Sequence, residues 1–168
     1  MTFAFTRDLA LVREVLTHPT QARMSSDDGT DLITWDPSAD ERVYYVLVSD
    51  PERGKESLTK RGVLRPAGFS EAALGIFSLY PQNAVCYEIH AALLPRAWGA
   101  RSRAALRGAL EFAWRETPAR RIVCAIPAYN ALAIKLAKDC GFRAFGRNRA
   151  SWLRWGKLHD QILLGISR

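Results

Sequence analysis

Leu93-Leu94-Pro95-Arg96-Ala97-Trp98-Gly99-Ala100-Arg101-Ser102 runs from the end of an apolar stretch into the start of a strongly amphipathic one. Downstream of it, Leu106, Ala109, Leu110, Ala113 and Trp114 recur at helical spacing on one face, with Arg103, Arg107, Glu111 and Arg115 on the other, which predicts a helix from about Arg101 to Trp114. Pro118 helps to end it. The segment is therefore a strand-to-helix connection. A loop that enters a helix N-terminus presents unpaired main-chain N–H groups, and a glycine such as Gly99 lets that backbone approach an anion closely. Arg96, Arg101 and Arg103 add positive charge. The same residues also suit an ordinary strand-to-helix turn with arginines on a wet surface.

Working outward, Ala73–Tyr80 and Ala84–Leu94 read as two strands joined across Pro81-Gln82-Asn83, a connection short enough for an antiparallel hairpin. Arg42–Ser49 is a third strand, rich in Val and Tyr and stopped by Asp50-Pro51. Thr2–Thr6 is read as a first strand, Asp8–Leu16 as a helix with Leu11, Val12 and Leu16 inward, and Pro19–Met24 as a second helix. Ser25–Glu41 is an acidic loop dominated by turn residues, and Asp50–Glu71 a long polar loop, either functional or mobile. After the central helix come a buried-type strand at Arg121–Ile126, a helix over Asn130–Cys140 stopped by Gly141, and strands at Phe142–Gly146 and Gln161–Ile166. The order predicts an α/β fold with a mixed, mostly antiparallel sheet of six or seven strands and about four helices.

A chain of 168 residues is expected to form one domain over residues 1–168. With 48% hydrophobic and 24% charged residues it is ordinary globular protein. No apolar run reaches transmembrane length, and Arg7 and Asp8 interrupt any leader-like core, so a cytoplasmic protein with no membrane partner is expected. Cys86, Cys124 and Cys140 are an odd count without metal or redox spacing and read as structural thiols. His18, His90 and His159 are scattered, so no metal site is expected. Charge is uneven: residues 1–95 carry 9 Lys/Arg against 13 Asp/Glu, whereas residues 96–168 carry 15 against 4. The basic half suits nucleic acid, an acidic surface or a phosphate-rich cofactor.

The strand, loop and helix around Gly99, followed by Ile122–Ile126, Tyr129-Asn130, a helix and Cys140-Gly141-Phe142, resemble the GCN5-related N-acetyltransferase (GNAT) superfamily. The likeness is strongest over residues 73–146, and the segment from Tyr87 to Arg168 also resembles phage- and prophage-encoded acetyltransferase-type proteins. The resemblance implies an enzyme that uses acetyl-CoA, with the diphosphate on a loop of the form Q/R-x-x-G-x-G/A. A register from Arg96 puts Gly99 on its first glycine. A register from Pro95-x-x-Trp98-Gly99 is similar to the branch that acetylates ribosomal-protein N-termini. In both, arginines stand at positions usually small. The implied CoA contacts are Leu93, Leu94, Arg96, Trp98, Gly99, Ala100, Arg101, Ser102 and Arg103, with Asn130 as a contact, a helix cap, or both.

A primary amine is largely protonated near neutral pH and must lose a proton before it attacks a thioester. Glu88 and His90 lie two apart on the strand before the loop and share a face, and the family often places a base there. Glu88 is the expected base, with His90 its alternative or the group that orients a water. A main-chain N–H near Ala91–Leu93 is the implied oxyanion donor. Ala137 stands where the family often carries the tyrosine that protonates the thiolate, which leaves Tyr129 or Cys140, or no dedicated acid. The implied acceptor is a primary amine on a protein or a small molecule, or an RNA-associated one, attacked directly in a ternary complex by a monomer or homodimer. Asp27, Asp28, Asp31, Asp36, Asp40 and Glu41 would give its pocket a negative rim, or form a solvated loop.

A rival function is nucleic-acid or ribonucleoprotein binding, since residues 143–155 interleave arginines with Phe145, Trp152 and Trp155. The plainer expectation packs those aromatics beneath a sheet with the arginines outside. A third is a catalytically degenerate fold kept for protein interaction.

Overall fold

Ala73–Leu79 contains no charge and is buried throughout, as expected of a strand covered on both faces. It is the middle of a computed structural model that describes residues 1–52 and 72–168. The predicted loop Asp50–Glu71 lies almost wholly outside the described residues. Seven strands, β1 (Thr2–Phe5), β2 (Tyr44–Ser49), β3 (Ala73–Pro81), β4 (Cys86–Leu93), β5 (Arg121–Pro127), β6 (Arg143–Arg154) and β7 (Lys157–Ser167), form one sheet in the order β1-β2-β3-β4-β5-β7-β6. Helices α1 (Leu9–Leu16) and α2 (Pro19–Ser25) precede β2, α3 (Ala100–Glu116) precedes β5, and α4 (Ala131–Asp139) follows it. All neighbouring strands are antiparallel except β4 and β5. Among the described residues no helix is long and apolar enough to cross a membrane.

The two faces of the sheet carry separate cores. Leu106, Ala109, Leu110 and Ala113 of α3 pack on Val46, Val48, Leu74, Phe77, Leu79, Tyr87 and Ile89. Leu11, Val12 and Val15 of α1 pack on the opposite face against Tyr45, Leu47, Ile76 and Ala92. Alternation along β2, β4 and β3 from Ile76 onward assigns each residue to one core or the other, and the register shift opposite Val48 and Ser49 resets it at Ala73 and Leu74.

The sequence boundaries shift for local reasons. β4 begins at Cys86 rather than Ala84, because the Asn83 side chain accepts from the N–H groups of Val85 and Cys86 and holds them in a turn. β6 and β7 are longer than predicted. Trp155 and Gly156 both have positive φ, 53° and 66°, so they make the two-residue turn that pairs Arg154 with Lys157 and extends the hairpin. Phe145 and Trp155 are not packed beneath the sheet as expected. Each is 55% exposed, with the guanidinium of Arg121 or Arg154 about 5 Å from its ring centre.

One feature of the sheet bears directly on function. β4 pairs with β5 only from Cys86 to Glu88, against Arg121 to Val123, although β4 continues to Leu93 and β5 to Pro127. Past Glu88 the two strands part. β5 instead pairs along its whole length with β7.

On the other side, β3 and β4 stay close. A Cβ at Gly75 would sit 2.3 Å from the Ala92 carbonyl oxygen and 2.9 Å from the Leu93 Cα. These are backbone atoms that no rotamer change can move. Gly75→Ala is therefore expected to destabilise the fold by about 1–3 kcal/mol in urea unfolding, whereas a Gly29→Ala control, which meets only the Asp27 carboxylate, should cost less.

Candidate active site at the parting of two strands

Glu88 is the last residue of β4 still paired with β5, and His90 follows it on the same face. His90 Nε2 lies 3.3 Å from Glu88 Oε1, and Gln82 Nε2 donates to Glu88 Oε2 at 2.9 Å. Across the strand pair, Tyr80 faces Glu88 and Ser78 faces His90, with the Tyr80 ring edge-on to the imidazole at 5.3 Å. Ser78 is only 1% exposed, and its hydroxyl has no hydrogen-bond partner among the described residues. The sequence does not flag Ser78, Tyr80 or Gln82, which read as interior and turn. Carrying the Pro81-Gln82-Asn83 hairpin back in register would have set the first two opposite Glu88 and His90.

Ser78, Tyr80, Glu88 and His90 floor a cavity of about 340 Å³. Leu16 and Thr17 from the end of α1, and Ser26, Thr30, Leu32 and Trp35 from the loop beyond α2, form its other wall. Glu88 is partly buried, with its side chain 27% exposed. The His90 hydrogen bond lowers its pKa from the ordinary 4.5, against a smaller opposing effect of desolvation. Glu88 is thus a carboxylate throughout the neutral range. Burial pushes the Cys124 thiol up to about 12, and it raises that of Cys140, whose sulfur donates to the Arg103 carbonyl at 3.8 Å. Neither is a poised nucleophile. Among the described residues no group of three His, Cys, Asp or Glu side chains could hold a metal.

The main chain of β4 also matters beyond Glu88. Leu94 N–H donates to Leu74 of β3, whereas the Leu93 carbonyl turns the other way and accepts from Trp98 Nε1 at 2.8 Å and from Gln21 Nε2. Alternation then directs the Ala91 N–H into the gap facing β5, whereas the pairing of Glu88 with Val123 takes up that of Ile89.

At the far end of that gap, Pro95–Ala97 forms a short 3-10 turn and Gly99 caps α3 at φ 73° without a side-chain cap. A Cβ there would meet nothing within 4 Å. Ser102 N–H closes onto the Gly99 carbonyl, and those of Ala100 and Arg101 are left without an intrahelical partner, as in the first turn of any helix. The arginines are more engaged than the sequence implies. Arg96 Nε donates to the Ala73 carbonyl at 2.5 Å, Arg101 pairs with Asp50 at 2.5 Å, and Arg103 lies 3.7 Å from Asp139. Asn130 caps α4 by accepting from Ala133 N–H. Tyr129 stands apart from the cavity lining: its hydroxyl accepts from Trp152 Nε1 and donates to the Met24 carbonyl, and its ring meets Trp155 and His159.

The predicted negative rim does not form. Asp27 and Asp31 cap turns, Asp28 binds Arg154 and Gly156 N–H, Asp36 pairs with Arg13, and Asp40 pairs with Arg42. None of them lines the cavity. Arg154 also donates to the Ala22 and Arg23 carbonyls at the end of α2, so the hairpin tip fastens the loop that walls the cavity.

The sequence matches the family described as acetyltransferase (GNAT) domain over residues 2–143. The chain belongs to the GNAT acetyltransferase family. It is an acyl-CoA-dependent N-acetyltransferase with acetyl-CoA as cosubstrate. Structural likeness extends further. Spermidine N-acetyltransferase from Vibrio cholerae in complex with CoA and spermine matches with a TM-score of 0.73 at 15% identity, covering 99% of this chain and 94% of that one. A chimera of the Vibrio cholerae enzyme SpeG with hSSAT gives 0.74 at 16%, over 99% and 94%. SpeG in complex with manganese ions gives 0.68 at 15%, over 99% and 91%. At such identities the likeness is one of fold. Among curated proteins, none matches the sequence. The β6–β7 hairpin lies almost wholly beyond the family match and within the structural ones.

For this GNAT chain the residues present suit acetyl-CoA: the space beside Gly99 is open, and the first N–H groups of α3 have no competing cap.

The Glu88–His90 contact makes a signed pH prediction. His90→Ala removes the hydrogen bond that lowers the Glu88 pKa and leaves desolvation, which raises it. The acidic limb of kcat/KM should then move to higher pH, and the stability that the parent gains as Glu88 ionises, present above its unfolded pKa and lost as pH falls through its lowered folded pKa, should be absent from the variant. An unmoved limb would show that Glu88 does not control the rate.

Proposed function

We propose that this enzyme transfers the acetyl group from acetyl-CoA directly to a primary amine, both held in one ternary complex, with Glu88 as the base. The observation that carries the reading is the place of Glu88: the last β4 residue paired to β5, at the floor of the cavity, and held ionised by His90. Bound acetyl-CoA supplies the activated acyl carbon: as the new C–N bond forms the C–S bond breaks, and the thiolate leaves with a proton taken from solvent. Glu88 Oε accepts a proton from the incoming ammonium, directly or through one water, and frees its lone pair. His90 and Gln82 fix the carboxylate from two sides, so its orientation is set before the amine arrives. The Ala91 N–H, directed into the gap, is the donor available to a developing oxyanion. Ala100 and Arg101 N–H, with Ser102, Trp98 and the positive end of α3, are assigned to the diphosphate, and Arg101 and Arg103 to the remaining phosphate charge. Arg101 would have to leave or share Asp50 to do so. The fold shared with spermidine N-acetyltransferases favours a free small-molecule amine over a protein-bound one.

Glu88→Gln keeps the shape and removes the proton acceptor. Its kcat should fall by roughly 10²- to 10⁴-fold, while acetyl-CoA still raises the melting temperature as it does for the unaltered enzyme. Full turnover in that variant would remove Glu88 from the mechanism.

A further inference from the structure

We infer that the acceptor is a monoamine with one cationic nitrogen on a neutral, apolar body, and not a polyamine; this rests on the transferase reading above. Among the described residues that line the cavity, Glu88 is the one carboxylate. It matches a single ammonium. A second or third ammonium carried into the same space would find no further anion among the described lining residues and would have to shed water without compensation. The nearby acids stand outside the lining. Asp27 accepts from Gly29 N–H at 2.7 Å and from Thr30 Oγ1 at 3.1 Å, Asp31 from Ile33 N–H and Thr34 Oγ1 at 2.9 Å each, and Asp28 and Asp36 are paired with Arg154 and Arg13.

The wall opposite Glu88 has the complementary character. Leu16, Leu32 and Trp35 are apolar and only half-buried, so they still have surface to cover. Trp35 is positioned by its own N–H, which donates to the Asp31 carbonyl at 2.9 Å. Thr17 and Thr30 use their hydroxyl protons within the chain, on the Arg13 carbonyl and on Asp27. On the floor, Ser78 adds a second polar group beside the carboxylate. Its buried hydroxyl lacks a partner among the described residues, and its register sets it diagonal to Glu88 on the same face. Diagonal neighbours stand about 7–8 Å apart in the sheet, so the two polar groups face the same part of the cavity. The cavity therefore has room for one charge at the sheet and for hydrocarbon or an aromatic ring against the loop.

The test compares thiol release from acetyl-CoA with 2-phenylethylamine, isopentylamine, spermidine, spermine and an alanine-initiated peptide, at one ionic strength. The expected kcat/KM for 2-phenylethylamine is at least about tenfold above that for spermidine. Trp35→Ala and Ser78→Ala should each raise its KM with the KM for acetyl-CoA unchanged. Preference for spermidine, spermine or the peptide overturns the inference. So does turnover of none of them while acetyl-CoA still raises the melting temperature. Absence of any thermal shift with acetyl-CoA instead overturns the transferase reading on which the inference stands.

Discussion

The parting of β4 from β5 after Glu88 and Val123 is the constraint on which the rest of the structure depends. A fully paired sheet would bury the Ala91 N–H in a ladder and leave no gap. Because β5 takes β7 along its whole length and β4 keeps β3, neither strand loses its place when the two diverge. The freed edge of β4 presents main-chain donors, and its side-chain face carries Glu88 and His90. In the proposed mechanism one strand thus serves both an acyl group and a base. The close approach of Gly75 to Ala92 and Leu93 holds the far end of β4 against β3.

Electrostatics are arranged more locally than the charge totals suggest. The acidic loop before β2 uses its carboxylates to cap turns and to pair with Arg13, Arg42 and Arg154, and so orders the wall of the cavity without lining it. Arg154 comes from the tip of the last hairpin and also binds the final carbonyls of α2. The last strands of the chain thereby position a segment more than 100 residues earlier. The positive half reaches the cofactor side through Arg101 and Arg103, each already countered by Asp50 or Asp139. In the proposed mechanism, phosphate binding there would be an exchange of partners, less favourable than binding to bare arginines and more selective for a ligand that also satisfies the α3 N-terminus.

Much of this was legible in residue order. The helix at Ala100–Glu116 follows from the spacing of Leu106, Ala109, Leu110 and Ala113, and the shared face of Glu88 and His90 follows from strand alternation. Gly99 was recognisable as a place where backbone is exposed. What escaped depends on cross-strand register and on side chains that close loops. Ser78 reads as one polar residue in a buried strand until β3 is laid against β4. Trp155-Gly156 lacks the Asn or Asp that usually announces a two-residue turn, so the hairpin was cut short at both ends. The acidic run looked like a field because local composition does not tell whether a carboxylate meets solvent, an arginine or a turn amide.

A structure with acetyl-CoA bound tests the central claim most directly. The account predicts the diphosphate on the N–H groups of Ala100 and Arg101, and the thioester in the gap between β4 and β5 within reach of the Ala91 N–H and of the cavity floored by Glu88. Acetyl-CoA bound elsewhere, with that gap closed by side chains and Glu88 screened from the thioester, would contradict it.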